Sequence, residues 1–109
     1  MANGIIKRFD VYWVQLDPAV GSEIKKTRPC VVISPNELHF LKTCIIAPLT
    51  SKKHGFPSRV LVTFQGTEGE IALDQLRSVD SSRLIKKMGA LSATTAKNII
   101  SVLLEMFDE

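Results

Sequence analysis

The sequence predicts a mainly β protein in which a strongly curved antiparallel sheet or small barrel is followed by one C-terminal helix. Short apolar runs, rich in β-branched and aromatic residues, recur between residues 11 and 88 and are separated by Pro, Gly, Asn and Asp. Helical periodicity is confined to the residues after Ser92. The 109 residues have the length of one ordinary domain, which we expect to span residues 1–109.

Each predicted strand is bounded by residues that favour turns. The first run is apolar on almost both faces and stops at Asp17-Pro18. Because proline removes a hydrogen bond from the ladder, we expect Pro29 to open the second strand and Pro48 to close the third. Residues 66–69 are predicted to form a turn. The predicted strands cover residues 11–16, 30–33, 43–47, 59–64, 70–73, 76–79 and 84–88.

The C-terminal segment has the three- and four-residue apolar spacing of an amphipathic helix. Ser92 is the expected N-cap, and no Glu or Gln stands three residues later to complete a capping box. We therefore expect the helix to draw most of its stability from packing on the sheet. Its predicted core-facing residues are Ala96, Ile99, Ile100, Leu103 and Phe107.

The charge balance is mildly basic. Fourteen Lys and Arg against eleven Asp and Glu give a net charge of +3, and the isoelectric point is near 9.0. This charge suits a polyanionic partner, but it is also common among proteins that bind no nucleic acid. Charge alone therefore does not identify a partner.

The cysteines and histidines indicate no metal site. Cys30 and Cys44 lie inside apolar runs and are predicted to be core residues, and His39 and His54 are not at zinc-ligand spacing from them. No run approaches the roughly 18 apolar residues of a membrane span, and the N-terminal residues have no apolar stretch typical of a secretory signal. We expect a cytoplasmic location.

The polar segment between the first two strands, residues 17–29, concentrates charge. Three cations there are able to contact phosphates, and the planar guanidinium of Arg28 suits two phosphate oxygens at once. The alternative is an ordinary solvated hairpin loop. The residues singled out in this segment are Gly21, Ser22, Glu23, Lys25, Lys26 and Arg28.

Two further polar segments have compositions that fit contacts with RNA. After the third strand, cations are able to hold the RNA backbone while His54 or Phe56 stacks on an unpaired base. Further along, three side chains are able to read base edges, although a surface salt bridge and a neutral amide explain them equally well. These candidates are Thr50, Ser51, Lys52, Lys53, His54 and Phe56 in the first segment, and Asp74, Gln75 and Arg77 in the second.

Several ordered motifs closely resemble those of the MazF/PemK family of bacterial toxins. They occupy residues 10–18, 21–23, 27–34, 47–51 and 74–79, so the resemblance covers nearly the whole chain. It implies an SH3-like barrel or twisted antiparallel sheet with a C-terminal helix, working as a homodimer. It also implies an antitoxin partner whose acidic tail competes with RNA for Lys26, Arg28, Lys52 and Lys53.

The resemblance implies the toxin of a type II toxin-antitoxin system, a sequence-specific endoribonuclease that cleaves single-stranded messenger RNA without a metal or other cofactor. The ribose 2′-hydroxyl attacks the adjacent phosphorus and leaves a 2′,3′-cyclic phosphate and a 5′-hydroxyl. Arg28 and Thr50 match the two central functional residues, and Glu23 matches a third. Arg28 would stabilise charge and Thr50 would donate a hydroxyl, while we hypothesise that Glu23 assists proton removal.

The sequence departs from some PemK-type relatives. Ala72 stands where those relatives have a basic residue, which leaves Asp74 without its partner in their scheme, and residues 15–17 lack their histidine. Two alternatives to the nuclease are a toxin of the CcdB type, which shares the fold and poisons DNA gyrase, and an RNA-binding module without turnover. Neither of these needs Arg28 and Thr50 for catalysis.

Overall fold

The computed structural model describes residues 5–109 of the chain. Residues 1–4, part of the segment considered for a secretory signal, lie outside the described residues. The described residues form strands β1 (Asp10–Gln15), β2 (Thr27–Val32), β3 (Thr43–Thr50), β4 (Arg59–Phe64), β5 (Thr67–Ala72), β6 (Arg77–Asp80) and β7 (Leu84–Ala90), followed by helix α1 (Ala93–Met106). The predicted fold class, a curled antiparallel sheet with a terminal helix, is confirmed.

Strand β3 lies at the centre of the sheet, where it pairs with β2, β5 and β6. The strand order is β4-β5-β3-β2-β1-β7, and all pairings are antiparallel. The opposite edge of β3 from β2 carries two partners in succession, because residues 43–46 pair with β6 and residues 49–50 pair with β5. One long strand thus belongs to two curled layers, and its last residues lie where those layers meet.

Both faces of the central strands are buried, as the apolar composition of the first run indicates. In β1, Val11 packs in one core cluster and Tyr12 in the other, because successive side chains of a strand point to opposite faces. On β3, likewise, Ala47 packs in the same cluster as Val11, and Ile46 packs in the same cluster as Tyr12. The curled sheet therefore encloses one core, and α1 covers the second through the fully buried Ile99.

Helix α1 begins as predicted. The Ser92 hydroxyl accepts a hydrogen bond from the backbone N–H of Thr95, at 3.2 Å, and so caps the helix. The predicted apolar face is wrong at its C-terminal end, since Phe107 is 72% exposed. Val102 and Met106 pack against the core instead, because they follow Ile99 at three- and four-residue spacing while Phe107 lies beyond the last turn.

Several predicted strand boundaries are wrong. Strand β2 begins at Thr27 and runs through Pro29, and β3 runs through Pro48 to Thr50. The neighbouring strands on both sides hold these extended segments in place, so the missing proline N–H groups do not end them. The predicted turn over residues 66–69 is also wrong, because β5 starts at Thr67.

Cys30 and Cys44 are buried, as predicted. Burial raises the pKa of the Cys30 thiol to about 12 and that of Cys44 to about 11, so both stay protonated near neutral pH.

Within residues 5–109, no helix combines the length and the apolar composition that a membrane span requires.

Candidate functional site

The register between β2 and β3 brings Arg28 and Thr50 together. Cys30 pairs with Pro48 in this antiparallel ladder. Two residues earlier on β2 is Arg28, and two residues later on β3 is Thr50, so the same register sets them side by side. Both line each of two adjacent clefts. The guanidinium and the hydroxyl thus border one continuous groove.

Arg28 is held by one of its nitrogens. Its Nε donates to the carbonyl oxygen of Lys25, at 3.0 Å. Within residues 5–109 its two terminal nitrogens form no hydrogen bond or ion pair, so both are available to the oxygens of a phosphate. The protein therefore orients the side chain through Nε, and the two terminal nitrogens remain available as donors.

Thr50 is positioned by a close approach of β5. Its Oγ1 accepts a hydrogen bond from the Lys52 backbone N–H, at 3.3 Å, so its own O–H proton is available to donate. A Cβ atom at Gly69 would collide with the carbonyl oxygen of Thr50. Only glycine lets β5 pack this closely against the end of β3.

Glu23 lies on the rim of the cleft, in the loop between β1 and β2. Its Oε1 accepts the Val20 backbone N–H at 2.6 Å, and its own N–H donates to the Val20 carbonyl at 3.1 Å. No hydrogen bond joins Glu23 to Arg28 in the described part of the chain. The carboxylate is close enough to line the cleft shared by Arg28 and Thr50, but it is turned toward its own loop.

The cleft that joins these three residues is basic, with four cations against one carboxylate. Its volume is about 320 Å³, which falls in the range of small-molecule sites. The lining residues are Ser22, Glu23, Ile24, Lys25, Arg28, Thr50, Ser51, Lys52, His54, Arg59 and Gln75. The structure thus brings together the three candidate catalytic residues and five of the predicted binding residues, together with Lys25, one of the three cations singled out in the first loop, and Arg59, which the sequence reading did not place in the site.

The second cleft has a different character. It has a volume of about 270 Å³ and continues from Arg28, Thr50 and Ser51 over apolar side chains that include Phe64 and Met88. Space therefore extends to both sides of the Arg28 and Thr50 pair. One side is basic and polar, and the other mixes apolar and polar side chains.

Three candidate residues lie in or just after the short 3₁₀ helix at residues 73–75, and each of them has a partner inside the protein. Gln75 accepts the Ile24 N–H at 2.6 Å and lines the basic cleft. Asp74 forms an ion pair with Arg59, with 2.7 Å between Oδ1 and Nε. Arg77 donates to the Leu16 carbonyl at 3.1 Å. These contacts hold neighbouring segments, and the proposed reading of base edges by these residues stays a prediction.

The remaining predicted binding residues are not among those lining the basic cleft. Lys53 pairs with the exposed Glu68 at 3.3 Å, and Phe56 stacks on His54. Gly21 and Lys26 lie in the first loop with positive φ angles of 59° and 70°. No group of three His, Cys, Asp or Glu residues in the described chain is arranged to hold a metal ion.

A buried charge cluster lies behind the cleft, and the sequence reading missed it. Glu70 is 1% exposed, and its carboxylate accepts from the backbone N–H groups of His54 and Gly55 and from Arg59. Burial works to raise the pKa of Glu70, but these three donors outweigh it and hold the pKa below its ordinary value. The only sequence signal was a carboxylate in an apolar strand.

The comparison with known protein families identifies the family of this chain. Residues 7–107 match the family described as the PemK-like, MazF-like toxin of type II toxin-antitoxin systems. The chain belongs to this family. The resemblance noted from the sequence motifs is confirmed.

Members of the MazF/PemK family with similar sequences are named endoribonucleases. The endoribonuclease toxin MazF of Escherichia coli K12 is 38% identical over 72 residues, which is 64% of each chain and so less than two thirds of that relative. The endoribonuclease EndoA of Bacillus subtilis 168 is 38% identical over 92 residues, covering 77% of this chain and 78% of EndoA. These names favour the nuclease over the gyrase-poisoning alternative.

Solved structures of MazF proteins share the fold. MazF from Deinococcus radiodurans superposes with a TM-score of 0.85 at 23% identity, covering 98% of this chain and all of the other. A MazE–MazF complex from the same bacterium gives a TM-score of 0.77 at 24% identity, covering 94% and 96% of the two chains.

The structure gives Asp74 a basic partner of its own. In the scheme of some PemK-type relatives, Asp74 lacks its partner because Ala72 stands at the position of the basic residue. In the β4–β5 ladder, Arg59 lies directly opposite Ala72 and its guanidinium reaches Asp74 from the neighbouring strand. The basic partner is therefore present, but it comes from another strand.

Proposed function

We propose that this chain is the toxin of a type II toxin-antitoxin pair and cleaves single-stranded messenger RNA internally, at specific sequences, without a metal ion. The observation that carries the proposal is the shared groove in which Arg28, Thr50 and Glu23 border the same space. Space on both sides of Arg28 and Thr50 supports cleavage within a strand, because an internal phosphodiester needs room for nucleotides in both directions.

The reaction is an internal transesterification. The ribose 2′-oxygen attacks the adjacent phosphorus, and its proton passes to a base. The bond between phosphorus and the 5′-oxygen breaks, and that oxygen takes up a proton. The products are a 2′,3′-cyclic phosphate and a free 5′-hydroxyl, so no water is consumed in this step.

Arg28 is proposed to stabilise the charge that builds on the phosphate oxygens. Its two terminal nitrogens are unpaired within residues 5–109, and its Nε is already fixed by the Lys25 carbonyl, so little reorganisation is needed when the phosphate binds. Thr50 adds one O–H donor next to it. Because a guanidinium has no lone pair available to accept a proton, Arg28 is a poor base, and we assign it no proton removal.

Glu23 is proposed to assist removal of the 2′-proton. Among residues 5–109 it is the only carboxylate that lines the basic cleft. Its Oε1 accepts the Val20 N–H, and its Oε2 forms no hydrogen bond within residues 5–109, so Oε2 is available to accept a proton. The single hydrogen bond fixes the loop position of the carboxylate without using its second oxygen.

The proposed partners follow from membership of the family, and the basic groove fits one of them. We propose that an antitoxin with an acidic tail binds over the basic groove and places carboxylates where RNA phosphates would lie. We also propose that the toxin works as a homodimer in the bacterial cytoplasm. Sedimentation velocity of the purified chain tests the homodimer, and a monomer at micromolar concentration would contradict it.

The assignment of residues is tested by cleavage of a defined RNA pool with purified variants in the presence of a chelator. Arg28→Ala is expected to lower the cleavage rate by about 10²–10³-fold, since it removes a preorganised charge-stabilising donor. Thr50→Ala and Glu23→Gln are expected to lose about 10-fold or more. Lys97→Ala, an exposed change on α1, is the control and should cleave like the wild type.

Each outcome is informative. Near-normal activity of Glu23→Gln removes Glu23 from catalysis whatever the other variants do. Tight RNA binding without any product would favour the RNA-binding module. Cleavage by Arg28→Ala at the wild-type rate would contradict the proposed site as a whole.

A further inference from the structure

The loop between β3 and β4, residues 51–58, is anchored by a carboxylate from a different strand. Glu70 on β5 accepts the backbone N–H of His54 at 3.0 Å and that of Gly55 at 2.9 Å. Gly55 has a φ of 69°, a left-handed conformation that glycine adopts without a steric cost. Two consecutive backbone donors thus converge on one buried side chain.

Arg59 completes the anchor and links it to the aromatic residues of the loop. Its Nη1 lies 3.3 Å from Glu70, and its guanidinium carbon lies 5.1 Å from the centre of the Phe56 ring. The Arg59 side chain is only 6% exposed. A cation in contact with both a carboxylate and an aromatic face restricts the ring as well as the backbone.

His54 and Phe56 form a preassembled stack. Their ring centres are 4.9 Å apart and their planes differ by 5°. Both residues are exposed, and His54 lines the cleft that contains Arg28 and Thr50. A flat, solvent-facing ring supported from behind by a second ring is the kind of surface on which an unpaired base stacks.

We propose that Glu70 is a positioning residue for RNA: together with Arg59 it fixes His54 beside the cleft as a stacking surface for an unpaired base next to the scissile phosphate. This inference rests on the proposed function and extends it to a binding subsite. Glu70 does not touch the substrate. It acts through the two N–H groups and the guanidinium that it holds.

A neutral isostere cannot hold the loop in the same way. In Glu70→Gln, one carboxylate oxygen becomes an NH₂ group, which faces a backbone N–H or the Arg59 guanidinium as a donor against a donor. The loop loses one or more anchoring contacts while the volume at position 70 is unchanged. The variant therefore separates the loop anchor from the packing of the strand.

The test pairs protein variants with RNA variants. RNA containing the mapped cleavage site is prepared with its natural bases and with an abasic ribose at each position flanking the scissile phosphate, and kcat and KM are measured separately. An abasic ribose at one flanking position is expected to lower cleavage by the wild type at least about fivefold. His54→Ala and Glu70→Gln are expected to lose a similar factor on natural RNA, mainly through KM, and nothing further on the abasic RNA. Glu105→Gln, an exposed carboxylate on α1, is the control.

Amide hydrogen exchange supplies a readout that is independent of cleavage. In Glu70→Gln the His54 and Gly55 amides should exchange faster, while amides of β1 and β2 keep their protection. Unchanged exchange at both amides overturns the anchoring role. Since His54→Ala alters an exposed side chain, it keeps the test decisive if Glu70→Gln folds poorly.

The two proposals fail in different ways. If the wild type cleaves RNA but the variants lose equal factors on natural and abasic substrates, or lose nothing on natural RNA, the stacking subsite is overturned and the nuclease stands. If the wild type cleaves none of the RNAs, the proposed function is overturned and this inference with it.

Discussion

The two loops that border the basic cleft are held in different ways. The loop between β1 and β2, residues 16–26, is held by several separate contacts, such as the Gln75 side-chain oxygen that accepts the Ile24 N–H and the Arg77 guanidinium that donates to the Leu16 carbonyl. The loop between β3 and β4 is held by the buried Glu70 and Arg59 pair. The second loop therefore depends on one buried pair, while the first depends on several separate contacts.

This difference divides the site. The first loop carries Glu23 and precedes Arg28, the groups proposed to act on the phosphodiester. The second loop carries His54 and begins after Thr50. The buried pair therefore lies on the side of the proposed base-stacking surface, and the separate contacts lie on the side of the proposed catalytic groups.

The largest effect is expected from the buried anchor. Glu70→Ala removes one of the two carboxylates that pair with Arg59, leaving it only Asp74, and orphans two backbone N–H groups, which should lower the free energy of unfolding by about 2–4 kcal/mol. Urea denaturation followed by circular dichroism measures this. A loss below about 1 kcal/mol would mean that the second loop is no more firmly anchored than the first.

The next effect concerns the strand from which the second loop starts. Gly69→Ala forces a methyl group against the Thr50 carbonyl, so β5 must shift away, at an expected cost of about 1–3 kcal/mol. Cleavage should fall along with stability because Thr50 moves. Ser78→Ala, an exposed change on β6, is the matched control. An unchanged unfolding midpoint in Gly69→Ala would show that this close approach is not needed.

A smaller effect is expected at the first loop. Gln75→Ala removes the acceptor of the Ile24 N–H, which water is able to replace in this partly exposed position, so the expected loss is about 0.5–1.5 kcal/mol. Asn98→Ala on the exposed side of α1 is the control. A loss equal to that of Glu70→Ala would remove the distinction between the loops.

The most gradual effect is the response to acid. The pKa values of Glu70 and Asp74 are held below their ordinary values, for Glu70 by the backbone donors and Arg59 against the opposing effect of burial. A lowered folded-state pKa means that the stabilisation is present above the unfolded-state values near pH 4 and is lost as the pH falls through the folded-state values. Unfolding free energies should therefore be flat from about pH 7 to 5 and decline below about pH 4. Glu70→Gln should flatten that decline, and an equally steep decline in the variant would contradict the assignment.

Some of this molecule was predictable from its residues. Period-two alternation located the strand from Arg59 to Phe64 correctly, and Ser92 marked the start of the helix. Motif resemblance selected Arg28 and Thr50, and the β2–β3 register supplies the physical reason that they meet. These local patterns depend on residues that are close together in the chain, so the sequence shows them directly.

The rest depends on pairings between distant residues. Arg59 meets Glu70 and Asp74 only because it lies opposite Ala72 in the β4–β5 ladder, and nothing local to Arg59 specifies that register. Pro29 and Pro48 were misread as strand ends because the flanking strands that hold them extended are remote in sequence. The anchor of the second loop was missed for the same reason.

The most direct measurement is the chemistry of the RNA ends produced by the purified chain in the presence of a chelator, on a substrate with and without a single 2′-deoxy substitution at the cleavage site. Metal-independent attack by the 2′-oxygen predicts 2′,3′-cyclic phosphate and 5′-hydroxyl ends on the natural RNA, and no cleavage at the substituted position. Cleavage at the 2′-deoxy site, 5′-phosphate ends, or dependence of cleavage on a divalent ion would contradict it.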